Sequence, residues 1–183
     1  MKFFIGLGIL GVVGITILIL IAPYRLARIL SFLNPWSDPL GSGFQIIQSL
    51  YAIGPGGLFG LGFGNSIQKH FYLPEPQTDF IFAVAGEELG FLGTTAIIVL
   101  LLLIVIQCIW IGRKAKDLQG KLICCGMAAL IGFQSFVNIC VATGLMPNTG
   151  IPLPFVSYGL TSLLTCFIGM GLVLNVGLQP KKY

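Results

Sequence analysis

Charge is what this chain has least of. Asp and Glu together number 6 and Lys and Arg 10 in 183 residues, so 9% of the chain is charged against 56% hydrophobic. A soluble domain carries roughly a quarter of its residues as Asp, Glu, Lys and Arg, and the deficit excludes an ordinary water-facing surface. Histidine is reduced to His70; it has no cysteine or serine partner at a spacing that makes a catalytic dyad, and interfacial hydrogen bonding is the role it fits. Cys108, Cys124, Cys125, Cys140 and Cys166 all stand in or beside apolar runs. They therefore form neither a disulfide framework nor a zinc site, and read as small, polarizable packing residues. No metal site is expected, and no nucleic-acid partner, because the net charge of +4 follows from membrane topology.

In place of charge there are long apolar runs. Four of them, at about 3–22, 89–111, 122–145 and 159–178, approach the roughly 20 residues needed to cross a hydrocarbon core. The fold class expected is all-α: a polytopic membrane protein, one membrane domain over 1–183, with four transmembrane helices and short interfacial helices in a long extracytoplasmic loop at 23–79. The first run follows Lys2, but it is longer than the apolar part of a secretory leader and Ala22-Pro23-Tyr24 makes a poor cleavage site, so it reads as a retained span. Lys2, Arg113, Lys114, Lys116, Lys121, Lys181 and Lys182 fall on one side, and Arg25, Arg28 and Lys69 are spread through the longer loop on the other. By the excess of Lys and Arg on the inner face, both termini are expected in the cytoplasm and the loops 23–79 and 146–158 outside.

The outer loop is patterned. Residues 24–33 place Leu26, Ile29, Leu30 and Leu33 on one helical face with Arg25 and Arg28 off it, as suits a helix lying in the interface. Asn34-Pro35-Trp36 ends it. A second short helix is expected over Phe44–Ile53, broken by Gly54-Pro55-Gly56-Gly57. The following Gly57-Leu-Phe-Gly60-Leu-Gly62-Phe-Gly64 lets backbone approach backbone or a ligand closely, and it reads as a loop resting on lipid that meets a substrate. It lacks the Gly-Lys-Ser/Thr of a phosphate-binding P-loop. Gly6-Leu-Gly8-Ile-Leu-Gly11 matches the dinucleotide fingerprint by letter, but it lies in an apolar span with no preceding strand, where small residues serve helix packing.

Chemistry is expected where acids gather at the mouth of a membrane helix, since ionisable groups there are costly to desolvate. Glu75, Asp79, Glu87 and Glu88 do so. Glu75, between Pro74 and Pro76, reads as a solvated loop residue. Glu87 and Glu88, expected one turn inside the helix mouth, either complement the helix dipole or support catalysis. Asp79 stands at the end of the loop, and helix cap and catalyst are equally open for it.

Several ordered motifs bear on that choice: Tyr24-Arg25, Asn34-Pro35-Trp36-Ser-Asp38-Pro39-Leu-Gly41-Ser42-Gly43-Phe-Gln45, Gly64-Asn65-Ser66-Ile-Gln68-Lys69, Tyr72-Leu-Pro74-Glu75, Thr78-Asp79-Phe80, Gly86-Glu87-Glu88-Leu-Gly90 and Gly150-Ile-Pro152-Leu-Pro154-Phe155-Val-Ser157-Tyr158-Gly159. Together they resemble the FtsW/RodA/SpoVE (SEDS) family of bacterial cell-wall synthesis, and the division and sporulation branch more than the elongation branch. The resemblance implies a ten-span fold of which this chain carries the last four spans. Leu160 stands where the family signature usually has glycine, at a point of expected close helix approach.

The resemblance further implies polymerisation of lipid II, a polyprenyl diphosphate-linked disaccharide-pentapeptide, into peptidoglycan at the outer face of the bacterial cytoplasmic membrane. The process served would be cell division, sporulation or cell shape. Asp79 matches the family's catalytic aspartate, with Glu75, Glu87 and Glu88 as supporting acids. Arg25, Arg28, Lys69, Gln68 and Ser157 are candidates for diphosphate or substrate binding. No cofactor is evident, and a divalent cation is left open. The partners implied are a class B penicillin-binding protein and divisome or sporulation proteins. Two other readings stand beside the enzyme: a lipid II flippase, which would also use intramembrane acids and glycine-broken helices, and a non-catalytic scaffold fragment that binds the penicillin-binding protein.

Overall fold

The computed structural model describes residues 30–41, 43–68 and 76–179, together with Gly6, Gly8, Gly11, Val13 and Gly14. Among these residues the chain is helical, with no strand. The principal helices are α1 (Phe44–Ile53), α2 (Ile81–Lys114), α3 (Leu118–Ala142) and α4 (Leu160–Leu178), with short 3-10 turns at Pro35–Ser37 before α1 and at Gly54–Gly56 after it. α2, α3 and α4 are long and apolar enough to cross a membrane, so the chain is a multi-pass membrane protein. The five described residues of the first apolar run are helical, and the rest of that span lies outside the described residues. So does most of the interfacial helix expected at 24–33, of which residues 30–33 are helical.

α1 has the bounds read from its apolar spacing, between Gly43 and Gly54. It buries Ile46, Ile47, Ser49 and Ala52, and the Ser49 hydroxyl donates to the Ala142 carbonyl at 2.6 Å. α2 begins earlier than its apolar count implied, at Ile81 instead of about residue 89. The acids at Glu87 and Glu88 broke that count, but both are buried in the finished helix, at 2% and 6% exposure. α3 stops at Ala142, short of 145, because Gly144 takes a left-handed φ of 70° and the Leu145 and Met146 N–H groups turn back to the Cys140 carbonyl. This is the usual way a glycine ends a helix.

Two buried clusters tie the helices together. One lies under the α2 start and includes Ala52, Phe80, Phe82, Val84, Leu101, Val137 and Leu153. The other lies at the opposite end, around Cys108, Cys124, Ala128, Val173 and Val176. The cysteines are all free thiols, buried except for Cys125, and they fill space as expected. Leu160 is 87% exposed, at the first turn of α4.

Candidate functional site

α2 is interrupted at Gly90, whose φ of 66° and ψ of −163° lie outside the helical region. A break in a membrane helix frees backbone groups that hydrocarbon cannot satisfy. Here the glycine loop satisfies them. Phe91 N–H donates to the Gly57 carbonyl at 2.9 Å and Leu92 N–H to that of Leu58 at 3.2 Å, while Leu61 and Gly62 N–H donate to the carbonyls of Glu87 and Glu88 at 2.9 and 3.1 Å. A Cβ on Gly56 would collide with the Gly86 carbonyl oxygen, one on Gly60 with that of Glu88, and one on Gly90 with the Gly60 nitrogen. The glycines thus serve the approach of backbone to backbone, and the loop is docked on α2.

Glu87 completes that joint. Its Oε2 accepts from the Ser66 hydroxyl at 2.5 Å and its Oε1 from Ile67 N–H at 3.0 Å. With both oxygens engaged and the helix starting at Ile81, Glu87 lies well past the first turn and ties the loop to the helix instead of complementing its dipole. Glu88, its neighbour, lines a cavity of about 310 Å³ with Phe63, Pro76, Gln77, Ile81 and Val84.

Asp79 ends the turn at 76–79 and is half-buried. Phe80 takes the N-cap position of α2, and no side-chain cap bond is made there, so the capping position falls to a residue without a polar side chain. The three successive carbonyls of Gln77, Thr78 and Asp79 are each held from across the chain. Tyr158 N–H donates to Gln77 at 2.8 Å, the Ser157 hydroxyl to Thr78 at 2.6 Å, and Asn138 Nδ2 to Asp79 at 2.9 Å. Asn138 Nδ2 also donates to the Ile151 carbonyl at 2.8 Å, and Ser157 Oγ accepts from Leu153 N–H at 2.8 Å. A Cβ on Gly150, itself at φ 68°, would lie 3.6 Å from Asp79 Oδ2, so the 146–159 loop comes directly against the carboxylate. Phe155 in that loop has a positive φ of 63°, a strained state for a bulky residue, and its ring packs edge-on against Phe167 at 5.9 Å.

The signature segment ending at Gly159 and the segment around Asp79 are therefore one site. Ser157, expected to contact substrate, commits its hydroxyl to two backbone groups and braces the Asp79 turn. Gln68 is half-buried with its amide oxygen enclosed. Glu75, Arg25, Arg28 and Lys69 lie outside the described residues. Among the described residues no three His, Cys, Asp or Glu side chains gather as metal ligands. Sequence reasoning missed Asn138, 1% exposed; an asparagine inside an apolar span was the available signal. It also missed Asn148, whose Nδ2 donates to Gln45 Oε1 at 2.7 Å and links the signature loop to α1.

The family model described as "Cell cycle protein" (FTSW_RODA_SPOVE) matches residues 1–182. The chain belongs to the FtsW/RodA/SpoVE family. It is 57% identical over 173 residues to the stage V sporulation protein E of Bacillus subtilis (strain 168), covering 94% of this chain and 47% of that protein. It is 47% identical over 180 residues to a probable peptidoglycan glycosyltransferase FtsW of Geobacter sp. (strain M18), covering 98% and 49% respectively. Among solved structures it resembles a chain from "Structural coordination of polymerization and crosslinking by a peptidoglycan synthase complex", with a TM-score of 0.71 and 36% identity over 98% of this chain and 50% of that one. The chain spans about half the length of the curated relatives it matches.

Proposed function

We propose that this chain supplies the aspartate-bearing half of a membrane glycosyltransferase that polymerises lipid II at the outer face of the bacterial cytoplasmic membrane, with both chain ends in the cytoplasm. The observation that carries the reading is the bracing of Asp79: three consecutive carbonyls are fixed by Asn138, Ser157 and Tyr158, which gives a carboxylate at a helix mouth the fixed position a general base needs. In this chemistry Asp79 accepts the proton of the acceptor sugar's 4-hydroxyl as that oxygen bonds to the donor's anomeric carbon. The bond from that carbon to the diphosphate oxygen breaks, polyprenyl diphosphate departs, and the anomeric centre inverts. Proton removal of this kind is worth about a hundred- to ten-thousand-fold in rate. The diphosphate calls for positive charge, a role we assign to Arg25, Arg28 and Lys69, and we assign Gln68 to substrate binding. A class B penicillin-binding protein and division or sporulation proteins are the partners proposed.

The helix break at Gly90 is the feature that would favour transport, since transporters bind cargo at the open backbone groups of broken helices. Here those groups bond the glycine loop, which favours the enzyme. Full-length protein purified with its penicillin-binding partner and given fluorescent lipid II should form a polymer that lysozyme digests. Lipid II movement across vesicles without polymer would support transport, and partner binding with neither activity would support a scaffold.

A further inference from the structure

We propose that the glycine loop is a hydrocarbon-depth anchor: its apolar tips Leu58, Phe59, Leu61 and Phe63 insert into the acyl chains of the leaflet on the Asp79 side and set the height of that aspartate at the membrane surface. These tips are exposed, Phe59 at 78% and Phe63 at 88%, in a loop whose backbone is nevertheless held by four bonds to α2.

The level of the loop follows from that docking. From Phe91 to Ile111 the helix rises about 30 Å at 1.5 Å per residue, matching the roughly 30 Å of a hydrocarbon core. Arg113 and Lys114 stand just beyond the far end, with Lys114 over the Trp110 ring, an arrangement suited to the interface. Gly90 therefore lies at the near boundary, and the bonds to Phe91 and Leu92 hold the loop beside the first apolar turn. The exposed side chains of Phe91 and Leu92 extend the same apolar surface onto α2.

Irregular backbone is tolerated at that depth only when its polar groups are satisfied by protein, and the break at Gly90 supplies partners to both strands of the loop. Water is the poorer neighbour for so many apolar tips, each worth about 1.5–3 kcal/mol when fully buried. The acyl chains beside α2 are continuous with them.

The test is depth-dependent fluorescence quenching. Phe59→Trp, in a Trp36→Phe, Trp110→Phe background, is reconstituted in phosphatidylcholine vesicles containing lipid brominated at the headgroup end of the acyl chain. Blue-shifted emission, loss of most of its intensity to the brominated lipid and little loss to aqueous iodide are expected. Phe63→Trp serves as a second reporter should the first fail to fold. Quenching by iodide instead, or by neither agent because protein covers the tips, would overturn the proposal.

Discussion

At the scale of single residues, the site depends on side chains that hold backbone: Asn138 and Ser157 fix the turn that carries Asp79. Asn138→Ala removes two hydrogen bonds and leaves the carbonyls of Asp79 and Ile151 without their donor in a low-dielectric site, which costs about 1–3 kcal/mol per unsatisfied group. Lower thermal stability in detergent is expected, with polymerisation by the full-length protein falling further than stability alone accounts for. Asn138→Gln, which keeps the amide but moves it, should recover stability more than rate. Ser157→Ala should behave likewise through Thr78 and Leu153. The location of Asp79, between a loop and an apolar helix, was legible from the sequence. Asn138 was not, because its work is a contact to a carbonyl 59 positions away, which no local pattern records. Glu87 was legible as an important acid, but its task was not: only the folded loop brings Ser66 and Ile67 to its two oxygens.

At the scale of elements, local rules succeeded where neighbours had no say. α1 needed only apolar spacing and bracketing glycines. The start of α2 and its break at Gly90 escaped the apolar count, since a buried, bonded glutamate costs far less than an exposed count assumes, and a helix break is affordable only where another segment fills it. Gly90→Ala and Gly60→Ala should each destabilise by about 1–3 kcal/mol or more, from strained φ and backbone collision, and should increase proteolysis within 57–64. Gly126, inside α3 with nothing within 4 Å of a Cβ, is the control. Gly126→Ala should be neutral or stabilising by up to about 1 kcal/mol, as thermal melting in detergent would register.

At the scale of the whole molecule, the chain has two chemically distinct ends. α1, the glycine loop, Asp79 and the 146–159 loop are hydrogen-bonded together at one end, while Arg113, Lys114, Lys116 and Lys121 flank the α2–α3 turn at the other. From the Lys and Arg asymmetry we propose that the second end lies inside the cell. An impermeant thiol reagent applied to intact cells should label Leu40→Cys, at a 90% exposed position, and spare Lys116→Cys; the reverse pattern would invert the topology. The central claim is that the first end is built to hold a general base, and its most direct test is Asp79→Asn in the full-length protein with its partner. Asn preserves the size and shape of the half-buried side chain, so stability should change by about 1 kcal/mol or less, while lipid II polymerisation should fall by at least about a hundred-fold. Near-normal glycan synthesis by a folded Asp79→Asn protein would contradict the account.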